Sequence, residues 1–87
     1  MNKKTYSEDE AREVASQIGI NWDTVAFDLP QFTAGMSIES EHGAFDPETN
    51  VTNDDPIMTG KIAWAHLKEI DDYYDRLDIM EKEAENK

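Results

Sequence analysis

The chain has 87 residues and no cysteine, so it forms one small domain at most, without a disulfide framework, a thiolate metal site or a cysteine nucleophile. Twenty acidic side chains stand against eight basic ones, a net charge of −12, which argues against direct binding to nucleic acid or to an anionic membrane, because phosphate recognition needs clustered cations. A chain this short buries only about two-thirds of the surface it exposes when unfolded, which leaves room for one core and one shallow site.

Met1-Asn2-Lys3-Lys4 leads into polar residues rather than an apolar run. No signal peptide or membrane span is expected, and the default location is cytoplasmic. Ser7-Glu8-Asp9-Glu10 reads as a capping box. Ala11, Val14, Ala15 and Ile18 follow on one helical face, and Gly19 stands at the stop, which predicts a helix over about 8–18. Ile20, Trp22, Val25 and Phe27 form an apolar connector. Asp28 then reads as the next N-cap, with Gln31 three residues on, Pro30 in the first turn, and Phe27 and Phe32 as a hydrophobic staple. This second helix is predicted over about 29–42, with Gly43 as a left-handed stop.

Residues 44–55 are rich in turn formers. Asp55-Pro56 opens a third helix over about 56–70. Gly60 inside it costs about 1 kcal/mol relative to alanine, which predicts close approach of another backbone or of Trp22. The apolar face continues through Ile70, Tyr73, Leu77 and Met80, while Asp71-Asp72 can cap a fourth helix after a bend, over about 72–84. Residues 1–6 and 82–87 are expected to fray. Nothing alternates with period two. The expected fold is an all-α, single-domain, compact bundle of three to four short helices with no sheet. Its core is expected to hold Val14, Ile18, Trp22, Phe27, Phe32, Met36, Ile62, Leu67, Tyr73 and Leu77.

The run Thr49-Asn50-Val51-Thr52 with Asp54-Asp55, Thr59-Gly60-Lys61-Ile62-Ala63 with Ala65-His66-Leu67 and Glu69, and Asp72-Tyr73-Tyr74 with Arg76-Leu77 has a family likeness. With Glu41-His42-Gly43 ahead of it, and Ile18-Gly19-Ile20, Trp22 and Phe27-Asp28 further upstream, it resembles a family of small, functionally uncharacterised proteins of bacteria and their phages. The likeness covers about residues 14 to 81. The family pattern often carries proline near position 71, where this chain has Asp71, and that favours the bend. The resemblance implies one compact domain and brings no activity, cofactor or catalytic residue.

Two arrangements point to chemistry. The only two histidines stand in Glu39-x-x-His42 and His66-x-x-Glu69. Residues three apart share a helix face, so facing helices can bring Glu39, His42, His66 and Glu69 into one coordination sphere suited to zinc, iron or manganese. The simpler reading has His42 at a helix C-terminus, where a cation suits the dipole, and His66 as a hydrogen-bonded, half-buried imidazole. Asp46, Glu48, Asn50 and Asp54 have calcium-loop spacing, but Val51 and Ile57 stand where that loop needs glycine and glutamate. Thr59-Gly60-Lys61 lacks the first glycine and the strand of a phosphate-binding loop.

The second arrangement is acidic and aromatic. Trp64 and Tyr74 are placed to anchor a partner, with Asp71, Asp72, Asp75 and Asp78 supplying charge. The expected function is a non-enzymatic acidic interaction module with a basic protein partner and no cofactor. The alternative is a metal-binding helical protein that uses its His/Glu cluster, with or without enzymatic activity.

Overall fold

A computed structural model describes residues 4–86. Its helices are α1 Glu8–Ile18, α2 Leu29–Glu39 with a 3-10 turn Ser40–His42, α3 Pro56–Glu69 and α4 Tyr73–Glu85. Among the described residues there is no strand, so the all-α expectation holds.

The helix starts follow from their caps. Ser7 Oγ accepts from the Glu10 N–H at 3.1 Å, and Glu10 Oε1 accepts from the Ser7 N–H at 3.0 Å. Asp28 and Gln31 make the same reciprocal pair, both bonds at 3.0 Å. Phe27 and Phe32 stack with centroids 6.4 Å apart, closing the staple. Asp55 accepts from the Ile57 N–H at 2.9 Å, with Pro56 at the first helical position.

The stops differ from one another. Gly19 ends α1 in the left-handed region, at φ 89°. Gly43, expected to do the same for α2, is extended at φ −92°. It is needed for another reason: a Cβ there runs into the Asp54 carboxylate, which accepts from the Ala44 N–H at 3.1 Å. The left-handed residues of this loop are Asn53 and Asp54, the types that tolerate it best after glycine. α3 stops where Ile70 turns extended, and the chain bends before α4 begins.

α3 packs against both α1 and α2, and α4 lies against α2 and α3. Phe32 and Met36 of α2 are fully buried among them. Gly60 lets α1 approach, since a Cβ there runs into Val14 and comes within 3.6 Å of Ile18; the close neighbour is an α1 side chain rather than Trp22. Gly35 of α2 does the same for the Tyr74 ring.

Val14, Phe27, Phe32, Met36 and Leu67 are buried as expected, whereas Ile18, Trp22, Ile62, Tyr73 and Leu77 are half-buried. Tyr6, Ile20, Ala63 and Tyr74 join the core. Within the stretch expected to fray, the Tyr6 N–H donates to Ser37 Oγ at 2.9 Å, and the Lys4 carbonyl accepts from Ser40 Oγ at 2.6 Å. At the other end α4 is helical to Glu85, although every side chain from Asp78 to Asn86 is exposed. Residues 1–3 and Lys87, also expected to fray, lie outside the described residues.

Candidate functional site

Three of the four residues in the His/Glu arrangement converge, and a tyrosine takes the fourth place. Glu39 ends α2 and is 4 % exposed. Tyr74, in the first turn of α4, donates its hydroxyl to Glu39 Oε2 at 2.6 Å. His66 of α3 places Nδ1 2.9 Å from the same oxygen and 3.1 Å from Tyr74 Oη. A carboxylate only accepts, so the Nδ1 proton lies on the Glu39 side. His42 Nε2 stands 3.5 Å from Glu39 Oε1 and 3.7 Å from Glu41 Oε1. Tyr73 stacks on the His66 ring, 4.4 Å between centroids.

This geometry is a clasp. A lone buried carboxylate is costly, and here a phenol and an imidazole hydrogen-bond it, with a second imidazole beside it. Burial, and then the bond to Glu39, hold the Tyr74 phenol far above its ordinary value of 10.0, so it remains a donor. Each member comes from a different element, and Tyr74 ties α4 to the rest.

The predicted metal set does not assemble. Glu69 is exposed and forms neither a hydrogen bond nor an ion pair with Glu39, His42 or His66. Among the described residues no group of three or more His, Asp or Glu side chains is arranged to hold a metal ion. Glu69, the last residue of α3, faces solvent, and beyond the bend at Ile70 the returning α4 brings Tyr74 to Glu39 instead. The i,i+3 pattern reported a shared face and could not report which α4 side chain returns to it.

The acidic arrangement is placed differently from expectation at one residue. Tyr74, read as a surface anchor, is 4 % exposed and belongs to the clasp. Helix phase restarts after the bend, so the inward position moves from Tyr73 to Tyr74. Asp71, Asp75 and Asp78 are exposed and Asp72 is half-buried. From Glu69 to Glu85 there are eight acidic and two basic residues, a net charge of −6 and half of the total. Both cations are engaged internally: Arg76 Nε bonds Asp72 at 2.7 Å, and Lys82 Nζ bonds Asp78 at 2.9 Å. Ile70, Ile79 and Met80 stand exposed on the same stretch.

Trp64 is half-buried in the wall of an open groove of about 640 Å³ between the Thr24–Phe27 segment and the α3–α4 corner. Phe27 and Leu67 line its apolar part, and Glu69, Asp71 and Asp72 line its acidic part. The Lys68 ammonium lies over the Trp64 ring, 4.6 Å from its centroid. The indole N–H is shut off from solvent and has no hydrogen-bond partner among the described residues. Such an orphan donor costs about 1–3 kcal/mol. Glu39, His42, His66 and Tyr74 lie outside this groove.

No described helix is long and apolar enough to cross a membrane. No curated protein and no solved structure matches the chain. A family model does match, over residues 11–83, a stretch that takes in all four helices almost entire and holds the Thr49–Leu77 run in full. The chain therefore belongs to the family described as "Protein of unknown function (DUF5661)".

Proposed function

We propose that the protein is a non-enzymatic acidic interaction module that binds a basic protein partner through its α3–α4 corner and the exposed side of α4. The observation that carries this reading is the charge distribution on 69–85. Half of the net charge sits there, and the only two cations of the stretch are already paired within the stretch itself. Among the described residues no cation pairs with Glu69, Asp71, Asp75, Glu81, Glu83 or Glu85. Those carboxylates repel one another along one exposed stretch of chain, and a basic partner relieves that repulsion as it docks. Exposed Ile70, Ile79 and Met80 add apolar contact area beside the charges. The non-enzymatic part of the reading is supported by the His/Glu/Tyr cluster, whose polar groups bond one another and line no part of the groove.

The test compares two baits in a lysate of the source cells. One is the native chain; the other carries Asp71→Asn, Asp75→Asn, Glu81→Gln and Glu83→Gln, none of which breaks an internal ion pair. The expected result is a retained protein of isoelectric point above about 9, released by about 0.5 M salt and lost with the second bait. Equal retention by both baits overturns the proposal.

A further inference from the structure

We propose that the groove beside Trp64 takes an arginine- or lysine-bearing apolar segment of the basic partner, and that the chain's own Lys68 holds the place of that cation in the free protein. The proposal rests on the interaction reading above and gives it a site and a ligand chemistry.

The argument starts from Lys68. Its ammonium covers the Trp64 face at 4.6 Å, so this face accepts a cation. Tryptophan is the best aromatic partner for a cation, and guanidinium is the commoner occupant, because it stacks as a plane and is more weakly hydrated than ammonium. An incoming arginine therefore competes well for the place of an exposed lysine. The same groove then offers what the rest of such a segment needs. Glu69 and Asp71 carry negative charge with no described cation paired to them, while Arg76 is neutralised by Asp72. Val25, Phe27 and Leu67 line an apolar stretch within the same walls. The Trp64 N–H, dry and without an acceptor, gains one if the ring shifts toward a peptide carbonyl as Lys68 leaves. Acidic partners are disfavoured by the rim, and a purely apolar segment leaves the Trp64 face to Lys68.

The probe is a short labelled peptide of alternating arginine and leucine, read by fluorescence anisotropy. Counterparts carry glutamate for arginine, or alanine for leucine. Saturable binding is expected for the arginine–leucine peptide alone. Lys68→Ala, at an exposed position, tightens it by about two- to five-fold by removing the internal competitor. Trp64→Leu weakens it by at least about tenfold, as expected for a central aromatic anchor. Circular dichroism checks that this variant folds, and Lys68→Ala decides the matter if it does not. Binding that Lys68→Ala weakens or leaves unchanged overturns the proposal. So does binding that ignores Trp64→Leu and follows only the Asp75→Asn, Glu81→Gln charge; that outcome preserves the broader interaction reading. Capture of a basic lysate protein with no binding of the peptide likewise removes the groove and keeps the broader reading, whereas failure of both removes both. Self-association of the free protein that Trp64→Leu abolishes assigns the groove to a second copy and also overturns the proposal.

Discussion

Tyr74 brings its hydroxyl to a place where Glu39 has already lost its water. The carboxylate is 4 % exposed, and the phenol is its shortest hydrogen bond, at 2.6 Å. Removing the hydroxyl by Tyr74→Phe keeps the ring packed in the notch at Gly35 and leaves a buried charge with one donor fewer. Bonds to charged groups contribute about 1.5–3 kcal/mol, so urea unfolding is expected to show a loss of that order. A pH test is independent of that figure. Burial and Glu39 raise the Tyr74 pKa above its ordinary value of 10.0. The unfolded chain releases this proton first as pH rises. The stabilisation is therefore complete below about pH 10 and declines as pH climbs through the folded-state value. The native chain is expected to lose stability above pH 10 more steeply than Tyr74→Phe. A residual slope remains in the variant from Tyr6, whose phenol burial also raises.

At the scale of elements, α4 is held at its beginning and exposed along its second half. Tyr74 is its one buried residue, with Tyr73 and Leu77 half-buried. Gly35→Ala pushes a methyl group into the Tyr74 ring. The expected outcome is a loss of about 1–3 kcal/mol, typical of overpacking, with α4 released first. Hydrogen exchange is expected to speed up for α4 amides while those of α1 keep their protection. Uniform acceleration across all four helices counts against α4 as a separable element. This element also shows where the sequence is readable. Ser7/Glu10, Asp28/Gln31 and Asp55-Pro56 announce their helix starts because a cap is a local hydrogen bond between residues a few positions apart. The choice of Tyr74 over Tyr73 is not local. It depends on how the bend at Ile70 resets helix phase, and on a notch at Gly35 that lies 39 positions away in the chain. Glu39 and His66 are legible as chemistry-bearing residues from their spacing, while Glu69, three residues after His66 at the end of α3, faces solvent, which spacing alone does not report. Tyr6 gives no periodic signal at all; its segment is held by the Tyr6 N–H bond to Ser37 and the Ser40 bond to the Lys4 carbonyl, each across more than 30 positions.

At the scale of the whole molecule, charge and groove carry different parts of binding. The charge on 69–85 is long-ranged and acts before contact, so it governs how fast a basic partner arrives. The Trp64 groove acts only after contact, so it governs how long the partner stays. Stopped-flow mixing with the captured partner, or with the arginine–leucine peptide, separates the two. Raising ionic strength from about 0.05 M to about 0.5 M shortens the Debye length severalfold and is expected to cut the association rate by about tenfold or more. Asp71→Asn with Asp75→Asn, Glu81→Gln and Glu83→Gln should reproduce much of that loss in association at low salt, with a smaller change in dissociation. Trp64→Leu should do the opposite, speeding dissociation while leaving association and its salt dependence nearly intact. If both sets of substitutions alter only dissociation, the acidic surface makes direct contacts and does not steer. If both alter only association, Trp64 is not an anchor, and the apolar contact must be sought on exposed Ile79 and Met80 of α4.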